Sequence, residues 1–281
     1  MRGRCAARGE NFGMKRLRRA FLALGAMLAL QGAAPALLFH DSFTGTALDA
    51  RKWTPSYPWC DPAATCPTGP PYDWETYEAG QVTVENGLAL TATHVGGTYP
   101  SGIVTTGGTW SPAVAPQFAF TYGYAEMRAT FPPGIHAWPA FWLLAVQHGN
   151  PFEIDVVEGQ GATPRRDFMT LHYPVAGGKS AADGGWFDAP GSLAGSSHTY
   201  AVDWRPGEVI WYLDGVERFR DTDAAHIPHQ PMYLLVDLAV GGWELPWDGI
   251  PGNGDVFPAT MRVDGVRVWN SNPYRRAPRA R

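Results

Sequence analysis

The chain has 281 residues with 33 Gly and 25 Pro, a density of turn-formers that excludes a protein of long helices and favours many short strands. Seven of the 22 basic residues but only one of the 26 acidic residues fall within residues 1–36, so the remainder carries 15 basic and 25 acidic side chains, a net charge near −10. A body that acidic excludes nucleic acid and anionic membrane as partners and fits a neutral ligand, and its 12 Trp and 11 Tyr supply flat rings of the kind that stack on sugars.

The N-terminus has the layout of an export signal: Lys15, Arg16, Arg18 and Arg19, then an apolar run from Ala20 to Leu30, then small residues ending in Ala34-Pro35-Ala36. The apolar run is short for a permanent anchor, so the expected mature chain begins near Leu37, is secreted or periplasmic, and has no membrane attachment; an uncleaved anchor or a buried strand is the competing reading of the run. Residues ahead of Met14 read as an extension without a role. Cys60 and Cys66 are the two cysteines left after the signal, in a Pro-rich stretch, and in an exported protein they suit a disulfide as well as two free thiols.

Strand-like runs then follow one another. Gln81–Val84 and Leu88–His94 flank the turn signal Glu85-Asn86-Gly87, and Phe118–Phe131 alternates through Phe118, Phe120, Tyr122 and Tyr124. Ala140–Val146, Phe152–Glu158, Asp167–Tyr173 and Thr199–Trp204 are further runs, and Asp214-Gly215 between Val209–Leu213 and Val216–Arg220 is the strongest short hairpin signal. Met232–Val240 and Thr260–Trp269 complete the set; in the last, the apolar spacing slips at Asp264-Gly265, which predicts a bulge. No linker or repeat interrupts the series, so the reading is one all-β domain over residues 37–270, a sandwich of two stacked antiparallel sheets or jelly roll, followed by a basic, frayed tail over 271–281.

The informative run is Glu153-Ile154-Asp155-Val156-Val157-Glu158. Alternation puts Glu153 and Asp155 on one face but sends Glu158 to the core side, where an unpaired carboxylate is costly. One extra residue at Val156-Val157 restores Glu158 to the face of the other two. Three acids so close cannot all ionise, so one keeps its proton beside an ionised neighbour, the pairing that glycoside hydrolysis uses. Outer carboxyls about 5–6 Å apart would match the retaining spacing. A solvated acidic strand or a cation site is the competing reading of the same acids.

With these residues in view, the sequence resembles glycoside hydrolase family 16, the laminarinase-like group of β-jelly-roll enzymes. The resemblance rests on Tyr122–Arg128, Trp138-Pro139-Ala140-Phe141-Trp142-Leu143-Leu144, the bulged Glu153–Glu158 run, Tyr200–Trp204 with Trp211–Gly215, Ala239-Val240-Gly241-Gly242, and Val263–Val268. It implies a concanavalin A-like jelly roll and a monomeric endo-acting hydrolase that needs no cofactor for catalysis. Its expected substrate is a β-1,3- or mixed β-1,3-1,4-glucan; the alternatives are depolymerisation of a galactan or bacterial exopolysaccharide, transglycosylation, and lectin-like binding without cleavage. By the same resemblance Glu153 is the nucleophile, Glu158 the acid/base and Asp155 the partner of the nucleophile. His172 stands near the acids or is a core histidine. Trp138 and Trp142 line the sugar sites on the non-reducing side, with plain core packing the alternative for Trp142, and Trp243 and Trp247 wall the cleft or cap the sandwich. A structural Ca2+ is implied at Asp264 and the Gly87 carbonyl; a bulge without an ion fits as well. Two departures stand out: Asp237 where the family has Asn, and a long segment Trp59–Glu75 that borders the cleft.

Overall fold

Asp214 and Gly215 both take positive φ, 51° and 74°, the geometry that lets two antiparallel strands turn within two residues. The hairpin they close joins β14 (Glu208–Leu213) to β15 (Val216–Asp221), and it begins the larger of two stacked sheets. From β15 that sheet runs through β14, β13 (Ser197–Arg205), β8 (Gly123–Thr130), β17 (Ala259–Trp269) and β5 (Leu88–Ala92) to β4 (Val82–Val84), with β1 (Leu37–Asp41) also on β17. The second sheet runs β12 (Lys179–Asp188), β11 (Arg166–Val175), β10 (Glu153–Gly159), β9 (Ala137–Ala145), β16 (Met232–Val240) and β7 (Ile103–Thr105). A small third sheet joins β2 (Cys66–Pro67), β3 (Glu75–Tyr77) and β6 (Tyr99–Ser101). This is the all-β jelly roll expected from the sequence. The computed structural model describes residues 34–58, 66–67, 74–107, 114–147, 151–241, 251–252 and 255–275.

One apolar core fills the space between the two main sheets, with Met127, Trp204, Trp211 and Val266 from one side and Phe141, Leu143, Ile154, Val157, Met169 and Leu171 from the other. A second cluster, Tyr77, Ile103, Ala140, Trp142, Leu144, Tyr233 and Leu235, lies on the outer face of the six-stranded sheet. β16 is therefore buried along its whole length and β9 along nearly all of it, which is why both read as continuous apolar runs rather than alternating ones.

Several sequence expectations change. The long strand expected over Phe118–Phe131 begins only at Gly123; Tyr122 takes φ 62° and Gly123 φ 149°, and a Cβ at Gly123 would stand 2.3 Å from the Trp269 carbonyl, so the chain breaks there. Phe120 makes only an isolated bridge to Met232. β12 escaped the sequence reading because it is a polar, Gly-containing edge strand with no apolar period; its pairing to β11 alone defines it. The tail is anchored at its start, where the Tyr274 ring meets Tyr124 and its hydroxyl donates to Glu126 at 3.2 Å. Cys60, the side chain of Cys66, and most of residues 1–36 and of the loop after Gly241 lie outside the described residues. No helix among the described residues is long and apolar enough to cross a membrane.

Candidate active site

The three acids of the Glu153–Glu158 run reach one groove because β10 carries an extra residue. Asp155 pairs with Trp142 on β9, yet Val157 already pairs with Phe141, and on the β11 side the register jumps from Asp155–Thr170 to Glu158–Phe168. Ile154, Val156 and Val157 all point into the core, while Glu153, Asp155 and Glu158 line the groove. A bulge leaves backbone groups off the ladder. Here the Asp155 carbonyl is satisfied from the opposite sheet, where the buried indole N–H of Trp211 donates to it at 2.8 Å.

The groove holds about 490 Å³ and crosses the strands, with Tyr57, Tyr77, Trp138, Trp142 and Asp237 on one flank and Thr170, His172 and Ala182 on the other. Two other crevices among the described residues hold about 20 and 10 Å³, room for no more than a water. Glu153 faces His172 across the β10–β11 ladder, and His172 Nε2 lies 3.8 Å from Glu153 Oε1 and 3.1 Å from Asp155 Oδ2. Thr170 Oγ1 reaches Glu158 Oε2 at 3.5 Å.

Burial pushes all three carboxyls up; the charges of neighbours within the trio add to it for Glu153 and Glu158, whereas for Asp155 the added charge is that of Asp237. Glu153 is raised to about 8, first by burial and then by the charge of Asp155, with His172 opposing the rise. Glu158 is held well above the usual carboxylate range by burial, Asp155 and Glu153, against His172 and the Trp138 indole. Glu153 and Asp155 share a hydrogen bond. The hydrogen bond between them raises Glu153 and lowers Asp155, so the proton shared by the pair is held on Glu153, whose side chain is 30% exposed against 6% for Asp155.

Asp237 is buried on this floor and accepts the Trp142 indole N–H and the Tyr77 hydroxyl, each at 2.7 Å. Trp142 is therefore a pinned, 8% exposed floor of the groove, on its outer side and not in the inter-sheet core. Tyr57 packs against both Tyr77 and Trp142. The sequence reading missed Tyr57 and Tyr77; their only signal was their position at the ends of the long cleft-bordering segment. Trp243 and Trp247 lie outside the described residues.

Ligand atoms of Glu153, Asp155 and His172 lie within 4.8 Å of one another, as do those of Asp183, Asp221 and His226 where β12 meets β15. The calcium implied at Asp264 and Gly87 does not fit the residues there. The expected bulge is present, between Val263 and Gly265. The Asp264 carboxylate, however, accepts from Arg128 Nε and Ser197 Oγ, both at 3.0 Å, on the β8 and β13 side of β17. Gly87 lies on the other side, before β5, and its carbonyl accepts from the Glu85 amide. A guanidinium already supplies the positive charge that the ion would bring.

Comparison with known proteins agrees with this geometry. A family model described as glycosyl hydrolases family 16 matches residues 69–256. Endo-1,3-1,4-beta-glycanase EglC of Rhizobium meliloti (strain 1021) is 33% identical over 265 residues, covering 86% of this chain and 53% of that protein. Glucan endo-1,3-beta-glucosidase A1 of Niallia circulans is 30% identical over 267 residues, covering 83% of this chain and 37% of that protein. The chain thus spans about half or less of these relatives. Among solved structures, the laminarinase catalytic domain from Thermotoga maritima MSB8 superposes with a TM-score of 0.70 at 25% identity, over 85% of this chain and 99% of that one.

Proposed function

Since the chain belongs to glycosyl hydrolase family 16, we propose that it cleaves internal β-linkages of a polysaccharide with retention, and that the polysaccharide is a β-1,3- or mixed β-1,3-1,4-glucan. The observation that carries this reading is the bulge in β10, which gathers Glu153, Asp155 and Glu158 on one face of an aromatic groove.

In this mechanism the proton shared by the pair passes from Glu153 to Asp155, and Glu153, the more exposed of the two, attacks the anomeric carbon as a carboxylate. Glu158 keeps its proton because it is buried beside two other acids, and it delivers that proton to the leaving oxygen. A glycosyl ester on Glu153 results. Loss of the Glu158 proton leaves a carboxylate that takes a proton from water as the water attacks the same carbon, which returns both acids to their starting state. Asp155 holds the orientation of Glu153, and His172 offsets the summed negative charge. Trp138, Trp142 and Tyr57 offer apolar surface to sugar rings, and the floor is acidic, which favours a neutral polymer over an anionic one. The two carboxyls supply nucleophile and proton without a cofactor.

Release of reducing ends from laminarin and lichenan, with NMR of the first-formed anomer, tests the reading. Production of the inverted anomer, or cleavage of neither glucan by wild type, would sink it; in the latter case a galactan, a bacterial exopolysaccharide or binding without cleavage takes its place. The reading also includes export directed by residues 15–36, a monomeric state and a Cys60–Cys66 disulfide in the mature enzyme. Because Arg128 occupies Asp264, a chelator is expected to leave the melting midpoint unchanged.

A further inference from the structure

We propose that Trp186, backed by Phe168 and the Arg166–Asp188 pair, forms a second sugar-stacking site at the outer edge of the groove, on the leaving-group side. The inference rests on the glycan-cleaving reading above and names where the polymer runs beyond the cut.

The register sets the geometry. Asp237 pairs with Ala140, Ala140 with Glu158, Glu158 with Phe168, and Phe168 with Trp186. These residues form one transverse row across β16, β9, β10, β11 and β12. An extended polymer crossing the sheet from the Trp142 flank over Glu158 therefore reaches Trp186 two inter-strand steps later, about 10 Å on.

Facing follows from alternation. Ala182 lines the groove, so Gly184 and Trp186 share its side of β12. Phe187 points the other way, where the Arg218 guanidinium lies 3.8 Å from its ring centroid, and a Cβ on Gly185 would meet Phe219. On β11, Arg166, Phe168, Thr170 and His172 alternate with the buried Asp167, Met169 and Leu171, and Thr170 and His172 are the groove-facing members already described. Ala182 and Gly184, opposite His172 and Thr170, leave β12 low alongside Trp186.

The Trp186 side chain is the unusual element. It is 61% exposed on an edge strand, where exposed apolar area is a liability unless something covers it. Its neighbours hold it in place: the Arg166 guanidinium sits 5.2 Å from the Trp186 ring and 5.8 Å from the Phe168 ring. Arg166 is itself fixed by two hydrogen bonds to Asp188, at 2.7 and 2.8 Å. The pair is neutral in sum, so the patch offers an indole face and fixed polar edges. That combination suits a neutral polyhydroxylated ring better than an anionic sugar. Because Trp138 and Trp142 take the non-reducing side in the family resemblance, the β11–β12 flank takes the units released as leaving group.

The test compares wild type, Trp186→Ala, Trp186→Tyr and Val216→Ala on a β-glucan polymer and on a short aryl β-oligoglucoside whose aryl group ends beside Glu158. The expected result is a fall of about tenfold in the ratio of polymer to aryl kcat/KM for Trp186→Ala, with most of it restored in Trp186→Tyr. Val216→Ala, an exposed apolar residue on the other sheet, leaves the ratio unchanged. An unchanged ratio in Trp186→Ala overturns the site. Gel retardation in laminarin, lichenan and galactan separates this failure from that of the parent reading. If wild type binds a glycan without cutting any, and Trp186→Ala loses the retardation, the site stands while the hydrolase reading falls. Retardation independent of Trp186, or none by wild type in any of the three, overturns the site.

Discussion

The buried indole N–H of Trp211 on β14 crosses the core to the backbone carbonyl of Asp155 on β10, 2.8 Å away. That carbonyl sits where the bulge takes the strand off its ladder, so a residue of one sheet completes the backbone that aims the acids of the other. Trp211→Phe keeps an aromatic ring but removes the donor and opens a small gap. The expected cost is about 2–4 kcal/mol in chemical denaturation. Catalysis should suffer too, with kcat falling more than KM rises, because the acids lose alignment while the sugar-contacting rings stay in place. A variant with wild-type kcat and lowered stability would show that Trp211 only supports the fold.

Asp237 supplies a fourth carboxyl to the groove, and its charge is among the causes that raise both Glu153 and Asp155. Asp237→Asn keeps an acceptor for the Trp142 N–H and removes the charge. The acid limb of the pH–rate profile, set by protonation of the Glu153–Asp155 pair, is expected to move down by roughly half to one pH unit. The alkaline limb belongs to Glu158 and should hold its position. Movement of the alkaline limb alone would contradict this assignment.

Glu153→Gln and Glu158→Gln should differ by substrate. The first removes the attacking group and is expected to abolish turnover of every glycoside. The second removes the proton donor, with a loss of about 10²–10⁴-fold on polysaccharide but far less on aryl glycosides whose leaving group needs no proton. Equal losses on both substrates for both variants would refute the division of roles.

Asp167 is buried in the core, and neither of its oxygens has a hydrogen-bond partner among the described residues. Burial, and then the charge of Glu158, hold its carboxyl well above the ordinary range. An acid whose folded pKa exceeds its unfolded value of about 3.9 gives full stability below that value and loses it as pH rises towards the folded pKa. The wild-type melting temperature is therefore expected to fall between pH 5 and pH 8 more than that of Asp167→Asn. Parallel melting curves across that range would show that Asp167 ionises freely in the native state.

Local chemistry in the chain was enough to set much of this protein. Period-two alternation, Asp214-Gly215, and the conflict between Glu158 and its core-side position predicted sheets, a hairpin and the β10 bulge, because each depends on neighbours a few residues apart. What needed the tertiary structure was lateral neighbourhood. The Asp237–Trp142–Tyr77 contacts, the Arg128 that meets Asp264, the identity of β12 as a strand and the row ending at Trp186 all join residues distant in sequence. Which strand lies beside which, and in what register, is decided by burying both sheets' apolar faces together, and no local pattern encodes that sum.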